Sequence, residues 1–230
     1  MIKQQSAQIY TSTSRGETTL VMKFKRFSTF NFNEYRADSR ESFGTIEVIN
    51  EEILAPSQET TTDLKSNIEL LLIPLFGTIQ YNDHLNDSHF IKIGQILHAT
   101  AQKEYSYSIA NAYSKYNISY LQIWLKSENS ISKTTLTTLA FDSNPKNELT
   151  LIYKSQNTIG FIGVFNGRKD GCYSLKNKNN GAFVYVISGA FEVENRLLET
   201  NDGLGLKETE VIEWEALSEN AVLMLFEVPL

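Results

Sequence analysis

The sequence predicts an all-β protein built from two tandem jelly-roll β-barrels, and three observations carry that prediction. One pattern occurs twice. Residues 68–81 read IELLLIPLFGTIQY, residues 181–195 read GAFVYVISGAFEVEN, and their glycines Gly77 and Gly189 stand 112 residues apart. Each copy is an apolar strand, a glycine, a second alternating strand and a polar turn. A further glycine follows in each, Gly94 lying 17 residues beyond Gly77 and Gly205 lying 16 beyond Gly189. A repeat longer than the roughly 20–50 residues of solenoids and propellers marks duplicated domains. Secondly, Phe and Tyr together number 24 and Ser, Thr and Asn are plentiful, a composition that suits pleated, half-buried surfaces. Thirdly, short apolar runs alternate with turn signals at the spacing of a sandwich or barrel, and no long helical pattern interrupts them.

The elements follow in order. Residues 1–60 read as strands and polar turns. Residues 45–49 (TIEVI) alternate with period two, as a half-buried strand does, and Ala55-Pro56-Ser57 ends that run. Residues 58–67 are polar and Thr-rich. Strands are expected at 68–75 and 78–81, joined at Phe76-Gly77, with a turn at 82–87 and further strands at 90–93 and 94–97. Residues 110–117 are the best candidate for a short helix. Residues 120–125 (YLQIWL) are a buried strand that closes the first half. Residues 126–148 are polar, and Asp142-Ser143-Asn144-Pro145 is a turn. Strands at 151–153, 161–165, 183–187, 190–193 and 223–228 complete the second half. The expected domains are 1–130 and 149–230, with a linker at 131–148. A length of 230 residues suits two domains of roughly 100 residues each.

Composition narrows the function. The chain carries 27 Asp and Glu against 21 Lys and Arg, a net charge of −6, whereas nucleic-acid binding needs a basic face. The densest basic stretch, Lys23-Phe24-Lys25-Arg26, alternates as a solvated strand face would. A single cysteine, Cys172, excludes an internal disulfide and any cysteine-based metal cluster; it reads as an ordinary thiol in a reducing compartment. The first residues, MIKQQSAQIYTS, lack the apolar core of a secretory signal. No apolar run approaches a membrane span. A cytoplasmic protein is expected, with neither nucleic acid nor membrane as a direct partner.

Several motifs resemble the pirin-like bicupins of the cupin superfamily. Residues 29–32 (TFNF) and 43–50 (FGTIEVIN) are similar to that family's opening. Glu69, Ile73-Pro74-Leu75 and Gly77 resemble its first cupin motif, and Leu121-Gln122-Ile123-Trp124 its "LQIW" strand. Asn201-Asp202-Gly203-Leu204-Gly205 and Glu227-Val228-Pro229 fit its second half. The resemblance covers nearly the whole chain and implies two tandem cupin barrels. Some relatives are quercetin 2,3-dioxygenases that hold iron or a similar divalent metal on His-x-His and His-x-Glu in the first barrel. Others regulate partner proteins. Laid on those motifs, this chain places Asp63 and Lys65 at the two histidines, and Tyr105 and Tyr107 at the His and Glu. All four ligand positions are then replaced, and no metal cofactor is expected. A lysine ammonium repels a cation, and tyrosine ligates well only as a phenolate, whose formation costs deprotonation from about 10.

Because residues i and i+2 share a strand face, Asp63 with Lys65 and Tyr105 with Tyr107 are each expected to point into the first barrel. There they either line a pocket for a small organic ligand or fill the old cavity, with Lys65 paired to Asp63 and the tyrosines packed. His84 and His89 read as surface residues, His98 as a packed or edge histidine, and Glu69 as a buried hydrogen-bonded carboxylate. Gly203-x-Gly205 reads as a turn, since no helix follows it as a dinucleotide motif requires. No histidine lies beyond residue 98, so the second barrel cannot build a histidine metal site. The function expected is a metal-free bicupin that binds a small ligand or a regulatory protein partner. The alternative is an enzyme of the first barrel: a dioxygenase with an unusual metal site, or a metal-independent acid–base isomerase using Lys65, Tyr105 and Tyr107.

Overall fold

The computed structural model describes residues 6–83, 88–127, 131–141 and 145–230. In chain order these form strands β1 (Ala7–Tyr10), β2 (Gly16–Leu20), β3 (Phe24–Ser28), β4 (Ile46–Leu54), β5 (Glu59–Asp63), β6 (Ile68–Phe76), β7 (Ile79–Asp83), β8 (Ser88–Ile91), β9 (Gln95–Ala101), β10 (Ser106–Ala110) and β11 (Ile118–Lys126). They continue with β12 (Thr135–Ala140), β13 (Thr150–Lys154), β14 (Ile159–Phe165), β15 (Asp170–Ser174), β16 (Asn180–Ser188), β17 (Ala190–Val193), β18 (Arg196–Glu199), β19 (Gly203–Leu206), β20 (Val211–Ala216) and β21 (Ala221–Pro229). Among the described residues the only helical turn is a 3-10 turn at Ser12–Ser14. The all-β class holds.

The chain forms two compact units. The N-terminal unit comprises residues 16–42 and 46–141; the C-terminal unit takes residues 43–45, the second half, and the chain's first strand. In the N-terminal unit one sheet runs β12-β9-β6-β11-β4-β3-β2 and the other β5-β10-β7-β8. In the C-terminal unit the sheets run β1-β19-β16-β21-β14-β13 and β15-β20-β17-β18. Adding ten to the strand numbers of β9-β6-β11-β4-β3 and β5-β10-β7-β8 reproduces the second unit's order. The duplication read from the sequence is thus a duplication of topology. The edge position that β12 fills beside β9 is filled beside β19 by β1.

Gly77 and Gly189 occupy equivalent turns with φ of +78° and +85°, in the left-handed region that glycine enters without a Cβ clash. A Cβ on Gly189 would stand 2.4 Å from Ser218 Oγ and 2.9 Å from Ala221 Cβ. Gly189→Ala is therefore expected to lower stability by about 1–3 kcal/mol. A fall in the urea midpoint at unchanged slope would register it, and an unchanged midpoint would contradict it. The later glycine pair does not correspond. Gly94 turns the chain before β9 with φ +82°, whereas Gly205 lies inside β19, where the Phe43 ring covers it. Gly203 lies in the same strand under Phe183, so Gly203-x-Gly205 is a close-approach strand and not the expected turn.

Residues 110–117 form no helix. Asn111 Nδ2 donates to the carbonyls of Leu54, Ala55 and Tyr116, and this side-chain bonding holds the segment as a loop. Residues 135–140 of the expected linker form edge strand β12. The expected turns at 82–87 and 142–145 fall largely outside the described residues.

Both barrel interiors bury polar side chains among apolar ones. The C-terminal core includes Val184, Phe191, Leu204, Trp214 and Leu223, and this unit also buries Asn180 and Glu227. The N-terminal core draws on both sheets, with Leu70, Leu72 and Leu97 facing Ile79, Tyr81, Tyr107 and Ile109. It also buries Arg26, Asn50, Glu52 and Gln122.

Candidate ligand site in the N-terminal barrel

Strand parity builds this site. Along β3, Phe24, Arg26 and Ser28 share a face and pair with Leu54, Glu52 and Asn50 of β4. Tyr120 and Gln122 of β11 lie on the other side of Glu52 and Asn50. These polar residues therefore form rows across the inner face of the large sheet. Lys23 and Lys25 point to solvent, but Arg26 is buried, which corrects the reading of this stretch as a wholly solvated face.

Glu52 is 1% exposed and accepts three hydrogen bonds. Arg26 Nε donates at 2.6 Å, the Tyr120 hydroxyl at 2.6 Å and Gln122 Nε2 at 3.3 Å. The Arg26 guanidinium lies 4.9 Å from the ring centres of both Phe24 and Phe32, a cation–π sandwich. Gln122 Oε1 accepts from the Tyr107 hydroxyl at 2.5 Å. Beside this network, the side-chain amide nitrogen and oxygen of Asn50 are both buried with no protein partner.

The small sheet supplies the opposite wall. Tyr107 lies across from Thr62 of β5 and Asp83 of β7. Its ring stacks on Tyr81 at 5.5 Å and 20°. The Tyr81 and Tyr105 hydroxyls are 2.8 Å apart, and Tyr105 also bonds Asp83. Burial pushes the hydroxyls of Tyr81, Tyr105, Tyr107 and Tyr120 upward from the ordinary tyrosine value. After burial, the bond to Tyr105 adds to the rise at Tyr81, and the Glu52 charge adds at Tyr107 and Tyr120. These phenols stay protonated at neutral pH.

Of the four residues expected to point into the first barrel, Tyr105 and Tyr107 are buried in its core, 3% and 2% exposed. Asp63 and Lys65 are exposed. Thr62, opposite Tyr107, and the buried Leu64 take the inward positions instead. A strand offset by one residue exchanges its faces, and that offset removes Asp63 and Lys65 from the barrel. The isomerase alternative loses its lysine by the same step.

His98 and Glu69 pair at 2.7 Å, with Thr100 Oγ1 donating to the same carboxylate oxygen. They stand on the face of β6 and β9 opposite Leu70, Leu97 and Ala99, so neither reaches the interior, and Glu69 is part-exposed. His89 is not the surface residue expected; it is half-buried across from Tyr81, ring centres 6.3 Å apart. His84 lies outside the described residues. Cys172 is exposed, on an acidic groove of about 520 Å³ with Asp170, Glu192, Glu194, Glu213 and Glu215. The interior residues that sequence reasoning does not assign to the site are Arg26, Asn50, Glu52, Tyr81, Tyr120 and Gln122. Their signal is a polar residue at the inward parity of a strand: Arg26 two after Phe24, and Glu52 two before Leu54.

Among the described residues no group of three or more His, Cys, Asp or Glu side chains is placed to hold a metal ion. The donors that do face the interior also fit a divalent metal poorly. The tyrosines are held neutral, Glu52 is already engaged by three donors, and Arg26 brings a positive charge beside it.

Comparison with known proteins places this architecture. Residues 145–228 match the family model described as the quercetinase C-terminal cupin domain. The quercetin 2,3-dioxygenase of Escherichia coli K12 is 22% identical over 210 residues, covering 87% of this chain and 90% of that protein. The crystal structure of YhhW from Escherichia coli superposes with a TM-score of 0.90 at 19% identity, covering 97% of this chain and 98% of that one. The structure of the bacterial pirin YhhW in complex with nickel(II) gives 0.87 at 17% identity, covering 97% and 99%. With matching topology in both halves, the chain has the two-barrel fold of the bacterial pirin structures, and its residues 145–228 are a quercetinase-type C-terminal cupin domain.

Proposed function

We propose that this bicupin binds a small polar organic molecule in its N-terminal barrel, acts as a ligand- or partner-responsive regulatory protein, and lacks the dioxygenase chemistry named for its relatives. One observation carries the reading: the first barrel's interior offers protonated tyrosines and a closed Arg26–Glu52 pair in place of a nitrogen and carboxylate donor set. Soft or borderline metals need neutral imidazole or anionic donors. Among the described interior residues the Glu52 carboxylate is already held by three donors. His89 stands half-buried across from Tyr81, with no group of three or more His, Cys, Asp or Glu side chains assembled around it. The chemistry present instead suits hydrogen-bonded recognition. Asn50 offers a donor and an acceptor, the tyrosine rings offer apolar faces, and the Arg26 charge is balanced, so an uncharged ligand adds no uncompensated charge.

The relatives' names and the nickel complex of one structural neighbour make the competing reading concrete, and one experiment separates the two. The protein, purified without chelator or affinity histidines, is analysed by plasma mass spectrometry before and after incubation with nickel, iron and manganese. It is then assayed for oxygen-dependent loss of quercetin. The expected result is metal far below one equivalent and no turnover. Near-stoichiometric metal with metal-dependent turnover would sink the proposal.

A further inference from the structure

We infer that one end of the N-terminal barrel is a docking surface for an anionic lipid bilayer. Strands β2 and β3 join in a hairpin closed by Lys23 N–H donating to the Leu20 carbonyl. Its tip is Leu20-Val21-Met22, exposed by 58%, 79% and 90%. Met22 holds φ +61°, a conformation that Gly or Asn adopts at lower cost than a bulky side chain. A tip selected only for folding would carry a polar turn residue here; this one keeps a large apolar side chain at a strained position in full contact with water.

The neighbouring loops extend the same surface. Thr19, Leu20, Met22 and Lys23 line one groove with Asn117 of the β10–β11 loop. In that loop Tyr113 and Tyr116 are exposed. The Tyr113 carbonyl accepts from Ser57 N–H, and its hydroxyl donates to Thr78 Oγ1 at 3.3 Å, which ties the loop to the β4–β5 and β6–β7 turns. Phe76, 59% exposed, stands at the second of these.

Charge selects the occupant. The chain has 27 acidic residues, yet none falls in residues 18–25, 53–58, 75–80 or 110–119, the segments that build this end. Lys23, Lys25 and Lys115 do, and all three are exposed; Lys25 is paired with Glu17 at 3.8 Å, which leaves Lys23 and Lys115 as the cations nearest the tip. Lys23 and Lys25 sit on the outward side of the strand leading away from the apolar tip. A convex apolar tip with tyrosines and lysines beside it is the arrangement of an interfacial anchor, its apolar residues entering the acyl boundary while the cations meet lipid phosphates. A protein partner would have to supply a pocket for side chains that protrude, whereas a bilayer receives them directly. The expectation of no membrane rests on span length, and no helix among the described residues is long and apolar enough to cross one; surface association needs no span.

The test is sedimentation of the full chain with sucrose-loaded vesicles of phosphatidylcholine, with and without phosphatidylglycerol, at low and physiological salt. Binding is expected to the phosphatidylglycerol vesicles and to weaken with salt. The double variant Val21→Ser/Met22→Ser and the double variant Lys23→Glu/Lys115→Glu should each lower the partition coefficient more than about ten-fold. Both alter exposed positions, so their circular dichroism and melting should match the parent. Failure to sediment with phosphatidylglycerol vesicles overturns the inference, as does sedimentation indifferent to both variants. Lysine-dependent binding to soluble poly-glutamate without vesicle binding also overturns it and puts an acidic protein in the lipid's place.

Discussion

Arg26→Met is expected to destabilise the protein by about 3–5 kcal/mol, because it leaves the Glu52 carboxylate buried without its cation. Glu52 is 1% exposed, and the only charged partner in its hydrogen-bond set is Arg26; Tyr120 and Gln122 are neutral donors. One phenol bond and one amide bond do not replace a guanidinium in a low-dielectric interior. The pair's net contribution is a different quantity from the cost of breaking it. Removing both charges together, as Arg26→Met/Glu52→Leu, should recover much of the loss, since a buried ion pair exchanged for packed apolar side chains is often near neutral. Urea unfolding of the two single variants and the double variant measures this. A loss below about 1 kcal/mol in Arg26→Met, as for an exposed pair, would show that water reaches Glu52.

The same pair shows why the site is only half legible in the sequence. Tyr105 and Tyr107 can be placed because the family resemblance lays them on two ligand positions and i and i+2 share a face, although strand β10 itself is not among the strands expected from the sequence. Asp63 and Lys65 obey the same rule but sit in and after β5, a Thr-rich run with no apolar alternation to fix its parity. With Thr at 60, 61 and 62, either face could be inward, and a one-residue offset separates the two. Arg26 and Glu52 are hidden for the opposite reason. Each is a charged residue on a face whose other members are apolar or uncharged, and charge normally marks the outside. Only the pairing of β3 with β4, a contact between segments 26 residues apart in number, makes burial of either tolerable.

The fold is far more legible than the site, because duplication gives the same signal twice. The apolar strand, positive-φ glycine and alternating strand recur as β6–β7 and β16–β17, and the glycines turn the chain in both. The Gly94 and Gly205 match fails because spacing alone does not report conformation: one glycine turns the chain, and the other makes room for the Phe43 ring. The first strand's place beside β19 is also beyond sequence reasoning. Four residues, AQIY, carry no information about which edge they will join, and that choice depends on a strand nearly 200 residues further along.

Glu227→Gln should cost about 2–4 kcal/mol at neutral pH and should remove an acid-sensitive part of the C-terminal unit's stability. Glu227 accepts from the Tyr173 hydroxyl at 2.7 Å, from the backbone N–H groups of Lys176 and Asn177 at 2.9 Å each, and from Asn180 Nδ2 at 2.9 Å. It thereby pins residues 176–180 to β21. Burial alone would raise its carboxyl pKa, but these four donors outweigh it and hold the value below the ordinary carboxylate range. A depressed folded-state pKa contributes stability that is fully present above the unfolded value of about 4.3 and is lost as pH falls through the folded value. The parent should therefore weaken over that acidic window. The glutamine variant, already weaker at neutral pH, should lose less across it, because its amide does not titrate and turns an N–H₂ toward donors that need an acceptor. Each unit holds one of the chain's two tryptophans, Trp124 and Trp214. In a Trp124→Phe background the fluorescence of Trp214, a member of the C-terminal core, reports on that unit alone. Urea midpoints measured this way at a series of pH values should fall more steeply toward acid with Glu227 in place than in the Glu227→Gln variant. Parallel curves would mean that the carboxylate's bonds do not persist in solution.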